Sequence, residues 1–184
     1  MSLASRPARY RLSASELDRM CAAGLLVDAR VELIDGELLE MNAQGPIHAG
    51  LTVMIHRLLE ETYGAGHYVR DHSPLHLTEH DQPEPDLALI RGTPTVEAHP
   101  RGADAVLVVE IAVSTVFHDR DKADVYARGG VPAYFLINVE MAEVEVYRAP
   151  RVDGTYGEKR VFVAGERIEW PERDDEVDAG ELLP

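Results

Sequence analysis

The 184-residue chain has a single cysteine, Cys21, so it can close no disulfide within itself and cannot build a thiolate metal site from cysteine alone. No apolar run approaches the roughly 18 residues of a membrane-spanning helix. The opening Met1-Ser2-Leu3-Ala4-Ser5-Arg6 is not followed by the apolar stretch of a secretory signal. These absences predict a cytoplasmic protein with no membrane association. Positive charge is also scarce: 18 Lys and Arg stand against 33 Asp and Glu, a formal net charge of −15. That disfavours binding to a polyanion by bulk attraction. It leaves open local capture of a phosphate at a bound metal, which brings its own positive charge. Lysine is the rarest base, present only at Lys122 and Lys159, and the other 16 bases are arginine. Repeats, low-complexity tracts and Gly/Ser linkers are missing, so residues 1–184 read as one domain. Despite eight histidines there is no His-Glu-x-x-His pattern, and neither Gly-x-Ser-x-Gly nor a phosphate loop occurs. Zinc protease, serine hydrolase and nucleoside-triphosphatase readings fall away.

What is present alternates between helical and strand patterns. Ser13 followed by Glu16 forms a capping box for a helix over 13–23, which Gly24 ends. Residues 30–41 place short apolar runs on either side of Asp35-Gly36, a strong hairpin signal. After Gly45-Pro46, the spacing of Leu51, Met54, Ile55, Leu58 and Leu59 predicts a helix over 47–63. One or two short strands fall in 67–80 and another in 85–90. Residues 105–113 are an almost continuous β-branched run, the pattern of a strand buried on both faces. A helix over 119–129, a buried strand over 133–139, an edge strand over 143–148 and short strands at 158–163 and 166–170 complete the series. The order predicts a mixed sheet flanked by helices, α/β or α+β, preceded by a helix and a hairpin. Cys21, on the apolar face of the first helix, reads as a buried thiol.

The sharpest chemical feature is Glu110, the one charge inside Val106-Leu-Val-Val-Glu-Ile-Ala-Val113. A carboxylate in a buried strand is costly unless it is paired, hydrogen-bonded or ligating a metal. The ordinary explanation is an ion pair with an arginine. Asp86, behind Pro85 at the start of its own strand, repeats the pattern, and its ordinary explanation is a turn or cap. Two acids from neighbouring strands can hold one hard cation such as Mg²⁺. Lys122 follows twelve residues after Glu110 and could be a surface helix lysine. In a chain that uses arginine nearly everywhere else, a retained lysine suggests a need for a compact ammonium. Helical spacing puts Asp119, Lys122 and Tyr126 on one stripe. Acid, acid, lysine in this order is the plan of metal-dependent phosphodiester hydrolysis.

The stretches Glu32-Leu-Ile-Asp-Gly36, Pro85-Asp86, Val109-Glu110-Ile111 and Asp119-Arg120-Asp121-Lys122 together resemble a known family. Tyr126-Ala-Arg-Gly-Gly-Val-Pro132 and the closing Glu176-Val-Asp-Ala-Gly-Glu-Leu carry the likeness further. The family is Uma-two, bacterial restriction-endonuclease-like proteins of the PD-(D/E)XK nuclease superfamily. The resemblance runs from about Tyr10 to Leu183. It implies a restriction-endonuclease-like mixed sheet and a nuclease using Mg²⁺ or Mn²⁺ on nucleic acid, DNA first. Asp86 and Glu110 would be the metal-binding acids. The superfamily's next member would fall at Ala112, and the lysine is matched instead by Lys122 on the following helix. Glu32 resembles an additional acidic position of the site and His48 a polar position near it; otherwise they read as a hairpin acid and a helix-start histidine. Asp119 and Tyr126 would support Lys122. A homodimer is the expected assembly, since cutting two strands calls for two sites and C₂ pairs are the commonest closed form. The alternative is a catalytically silent binding or assembly module on the same scaffold. It is favoured by the charge of −15, the lack of a basic stripe and a run before Lys122 one residue shorter than the family form.

Overall fold

The computed structural model describes residues 9–184. The capping box forms as the sequence predicts. The Ser13 hydroxyl accepts the Glu16 N–H, the Glu16 carboxylate accepts the Ser13 N–H, and helix α1 runs over Ala14–Ala22. Strands β1 (Val31–Ile34) and β2 (Glu37–Glu40) form the hairpin, with Asp35 and Gly36 at φ values of 50° and 77°. Positive φ at both turn residues suits the right-handed twist of the strands they join. Gly36 is also required by space, because a Cβ there would lie 2.6 Å from the Arg11 Cβ. Helix α2 (Pro46–Tyr63) starts on proline, whose fixed φ suits the first helical position.

The main sheet has six strands: β3 (His67–Asp71), β4 (Leu87–Arg91), β5 (Ala105–Ala112), β6 (Ala133–Asn138), β7 (Glu143–Pro150) and β8 (Tyr156–Val163), in sequence order. All neighbours pair antiparallel except β5 and β6, which are parallel and joined by helix α3 (Val116–Arg128). This is a mixed α/β arrangement. Helix α2 packs on one face with the small hairpin of β9 (Arg167–Glu169) and β10 (Glu176–Asp178). Leu51, Ile55 and Leu59 of α2 meet Val109, Phe135 and Trp170 there. Helix α3 covers the other face, where Ala123 and Tyr126 meet Val108, Tyr134 and Tyr147. A third, smaller core joins Ala14 and Leu17 to Leu33 of the hairpin. No helix among the described residues is long and apolar enough to cross a membrane.

Several expectations need correction. Strand β7 is not an edge: β6 and β8 flank it, and the edges are β3 and β8. Its alternating polar residue Glu145 is buried, not solvated, because Arg120, Lys159 and Tyr147 all reach it. Helix α3 begins three residues earlier than its periodicity suggests, since its buried face includes the polar Asp119 and Lys122 and so carries little apolar signal. Met54 is exposed, and Thr52 and Tyr63 take places in the buried stripe of α2. Cys21 is exposed, because only Ala14 and Leu17 of α1 are buried.

Candidate active site

The sheet register brings the two predicted acids together. Leu87 pairs with Val109 in the antiparallel β4–β5 ladder, so the preceding Asp86 stands opposite Glu110 with both side chains on the α3 face. The backbone locks them further: the Asp86 N–H donates to Glu110 Oε2 at 3.1 Å, and the Ile111 N–H donates to Asp86 Oδ2 at 2.8 Å. Both carboxylates are buried on their inner sides and open onto a cleft of about 410 Å³ at the end of the sheet.

Helix α3 supplies the cation. The Lys122 ammonium lies 3.0 Å from Glu110 Oε1 and 2.9 Å from Glu32 Oε2, and lysine and both acids are almost wholly buried. Glu110 is therefore paired, but with lysine, not arginine. One turn further along α3, the Tyr126 hydroxyl donates to the same Glu110 oxygen at 2.6 Å. Asp119 lines the cleft too, yet its carboxylate accepts the Thr115 hydroxyl rather than pairing with Lys122. His48, from the first turn of α2, reaches over the sheet end to place Nε2 2.9 Å from Asp86 Oδ2. All seven residues singled out in the sequence thus line or back one cleft.

Three further residues escaped the sequence reading. His72 holds a left-handed backbone (φ 42°), its N–H donates to the Asp86 carbonyl, and its ring Nδ1 lies 3.4 Å from Asp86 Oδ1. The Gln44 amide lies 3.1 Å from that ring nitrogen and 3.4 Å from Asp86 Oδ1. Neither stands in a pattern that would reveal it. His118, 3.5 Å from Glu32, could have been found, since it is four residues before Lys122 on the same helical stripe.

The electrostatics follow from four acids and one ammonium in a confined space. Burial raises the Glu110 carboxyl well above its ordinary range, and the charges of Asp86, Asp119 and Glu32 add to this against the pull of Lys122. Burial opposes ionisation of Asp86 as well, but hydrogen bonds from His48, His72 and the Ile111 N–H outweigh it and hold its pKa low. For Lys122, burial works against the charged form and is overcome by Glu110 and Glu32, so its pKa is raised. Glu32 is buried too, but His118 and Lys122 lower its pKa. Asp119 is raised by burial. The donor set is hard oxygen, which suits Mg²⁺ better than zinc. Among the described residues no three His, Cys, Asp or Glu side chains form a ready metal cage. The two adjacent carboxylates fit an ion that keeps several waters, as Mg²⁺ does.

Residues 14–173 match the Uma2 family, described as "Putative restriction endonuclease". No curated protein matches the chain. Among solved structures, one from Anabaena variabilis ATCC 29413, described as "a putative nuclease belonging to DUF820", superposes with a TM-score of 0.68 at 14% identity. The match covers 84% of this chain and 90% of that one, and at that identity it speaks for the fold. With residues 14–173 of the 184 matched, the chain belongs to the Uma2 family of restriction-endonuclease-like proteins.

Proposed function

We propose that the chain is a metal-dependent nuclease that hydrolyses phosphodiester bonds of nucleic acid, with DNA the expected substrate and Mg²⁺ or Mn²⁺ the cofactor. The observation that carries this reading is the buried Lys122 ammonium set against Glu110, beside Asp86, at the floor of an open cleft. Asp86 and Glu110 would hold the cation. When bound, it would neutralise phosphate charge and acidify a water. Lys122 is held protonated by two carboxylates, so it serves as a donor that steadies the attacking water and developing negative charge, not as a base. Glu32 fixes the ammonium from its other side. Tyr126 holds the Glu110 carboxyl in place, His48 helps keep Asp86 ionised, and Asp119 adds negative charge at the cleft wall.

The test is a cleavage panel of duplex DNA, single-stranded DNA and RNA with Mg²⁺ or Mn²⁺, run beside a Lys122→Ala variant. Metal-dependent cleavage lost in the variant supports the proposal; none with any substrate refutes it. One observation favours a silent binding module. Each oxygen of Glu110 and Asp86 already has a partner in the protein: Lys122, Tyr126, His48, His72 or a backbone N–H. A titration with Mn²⁺ that shows no binding, in wild type as in Glu110→Ala, would establish that reading. The expected homodimer now has one sheet-edge candidate near the C-terminal side, β8, since β7 is internal. Sedimentation giving a strict monomer would remove it.

A further inference from the structure

A second cavity among the described residues is larger than the acid-rich cleft. It measures about 700 Å³, within the usual range of small-molecule sites, and lies on the other side of a thin wall. Val31 faces this cavity and Glu32 the cleft; Glu84 faces this cavity and Asp86 the cleft. The wall is therefore strand β1 and the segment 82–86, hydrogen-bonded to each other through Leu33 and Gln82.

Its chemistry differs from the cleft's, because two arginines line it alongside three acids. Arg70, on β3, lines it; its Nε is buried with no hydrogen-bond partner, and its Nη2 has only a long 3.5 Å contact to the Pro74 carbonyl. A buried, unsatisfied guanidinium N–H in a native fold calls for an explanation. Arg101 lines the same space, and among the described residues no carboxylate lies within ion-pair distance of either arginine. In a chain of net charge −15, two uncommitted arginines in one cavity stand out. Of the three acids that also line it, two have partners and the third is exposed. Asp18 accepts from the Gln82 amide at 2.9 Å and faces His99 at 4.0 Å, Glu84 pairs with Arg30, and Glu97 is exposed on its loop. His76, bonded to Gln82 at 3.3 Å, extends the polar wall. Leu17, Val31 and Cys21 also line it and offer apolar contact to a ring or a sugar.

We propose that this cavity is a phosphate-binding pocket for a nucleotide, with the phosphate on Arg70 and Arg101 and the base or sugar against Leu17 and Val31. Planar guanidinium forks match phosphate oxygens bidentately. The choice of a nucleotide as the phosphate carrier rests on the nuclease reading; the anion site does not.

The experiment is calorimetric titration of the full chain in EDTA, so that no metal draws phosphate to the acidic cleft. The probes are inorganic phosphate, 5′-AMP and a 5′-phosphorylated oligodeoxynucleotide. The proteins are wild type, Arg70→Gln, Arg101→Gln and Glu110→Gln. Saturable binding by wild type and Glu110→Gln, weakened about tenfold or more in both arginine variants, is the expected result. Binding of AMP as tight as that of the oligonucleotide would identify a free nucleotide as ligand, and binding of the oligonucleotide alone would identify a polynucleotide end; either supports the pocket. Arg101 is exposed, so its variant tests the site even if Arg70→Gln folds poorly. No saturable binding of any probe up to about 10 mM, or binding unchanged in Arg101→Gln, overturns the proposal. Cleavage is not read, so an inactive enzyme with a working pocket remains distinguishable.

Discussion

Replacing Lys122 by methionine keeps most of the side-chain stem and removes only the ammonium. Glu32 and Glu110, each 4% exposed, would then lose the cation that sits 2.9 and 3.0 Å from them. Removing one partner of a buried ion pair costs about 3–5 kcal/mol, because the remaining charge is left without water or partner. For a chain of this size each kcal/mol lowers Tm by about 2–4 °C, so the drop should be about 6–20 °C. Glu110 can relieve part of the loss by taking a proton, since burial already raises its pKa. A carboxyl with a raised folded pKa contributes stability at low pH that is lost as pH rises through that value. The penalty in Lys122→Met should therefore be larger at the higher of two assay pH values, both above the ordinary carboxylate range. Thermal melts in chelator at both pH values check this. Adding Glu32→Gln to the variant should recover part of the stability, as one of the two stranded carboxylates disappears. A Lys122→Met protein that melts with wild type at both pH values would refute the bridge and the ionic account of the site.

Other perturbations probe separate parts of the molecule. Tyr126→Phe removes a buried 2.6 Å hydrogen bond to Glu110 and should cost about 1.5–3 kcal/mol in urea unfolding, with the fold otherwise unchanged. Glu145 has its pKa lowered to about 2: burial opposes ionisation, but hydrogen bonds from Arg120, Lys159 and Tyr147 prevail. A lowered carboxyl stabilises the fold above its ordinary pKa, and that stability is lost as pH falls from about 4.5 toward 2. Glu145→Gln should thus flatten the acid limb of the stability curve. Its cost at neutral pH should be at most ~3 kcal/mol, and less because Arg120 and Lys159 reach water. Gly102→Ala would put a Cβ 2.1 Å from the Gly129 carbonyl oxygen, which is backbone and cannot rotate away. It should cost about 3 kcal/mol or more in the same unfolding assay, and an unchanged midpoint would show that the 102 and 129 turns do not touch.

Local signals in the sequence already determined much of this architecture. Ser13 with Glu16, Asp35-Gly36 and Gly45-Pro46 act through nearest-neighbour geometry, so their helix starts and turn need no partner elsewhere in the chain. The site acids were legible for a related reason: a carboxylate such as Glu110 inside an apolar strand is too costly to be incidental. Its register opposite Asp86, and the helix that brings Lys122 down on it, were decided only by the packed sheet. Periodicity misled where polar residues are buried by pairing. Glu145 made β7 look like an edge, and Asp119 with Lys122 hid the start of α3. His72 and Gln44 joined the site without any sequence signal, because they meet Asp86 from separate loops. Arg70 shows the same limit from the opposite side. On paper it is one of 16 arginines, and only folding buries its Nε beside a cavity where no partner meets it. A residue's type and its sequence neighbours set what it would cost to bury, whereas long-range packing decides what it is buried against, and chemistry depends on the second.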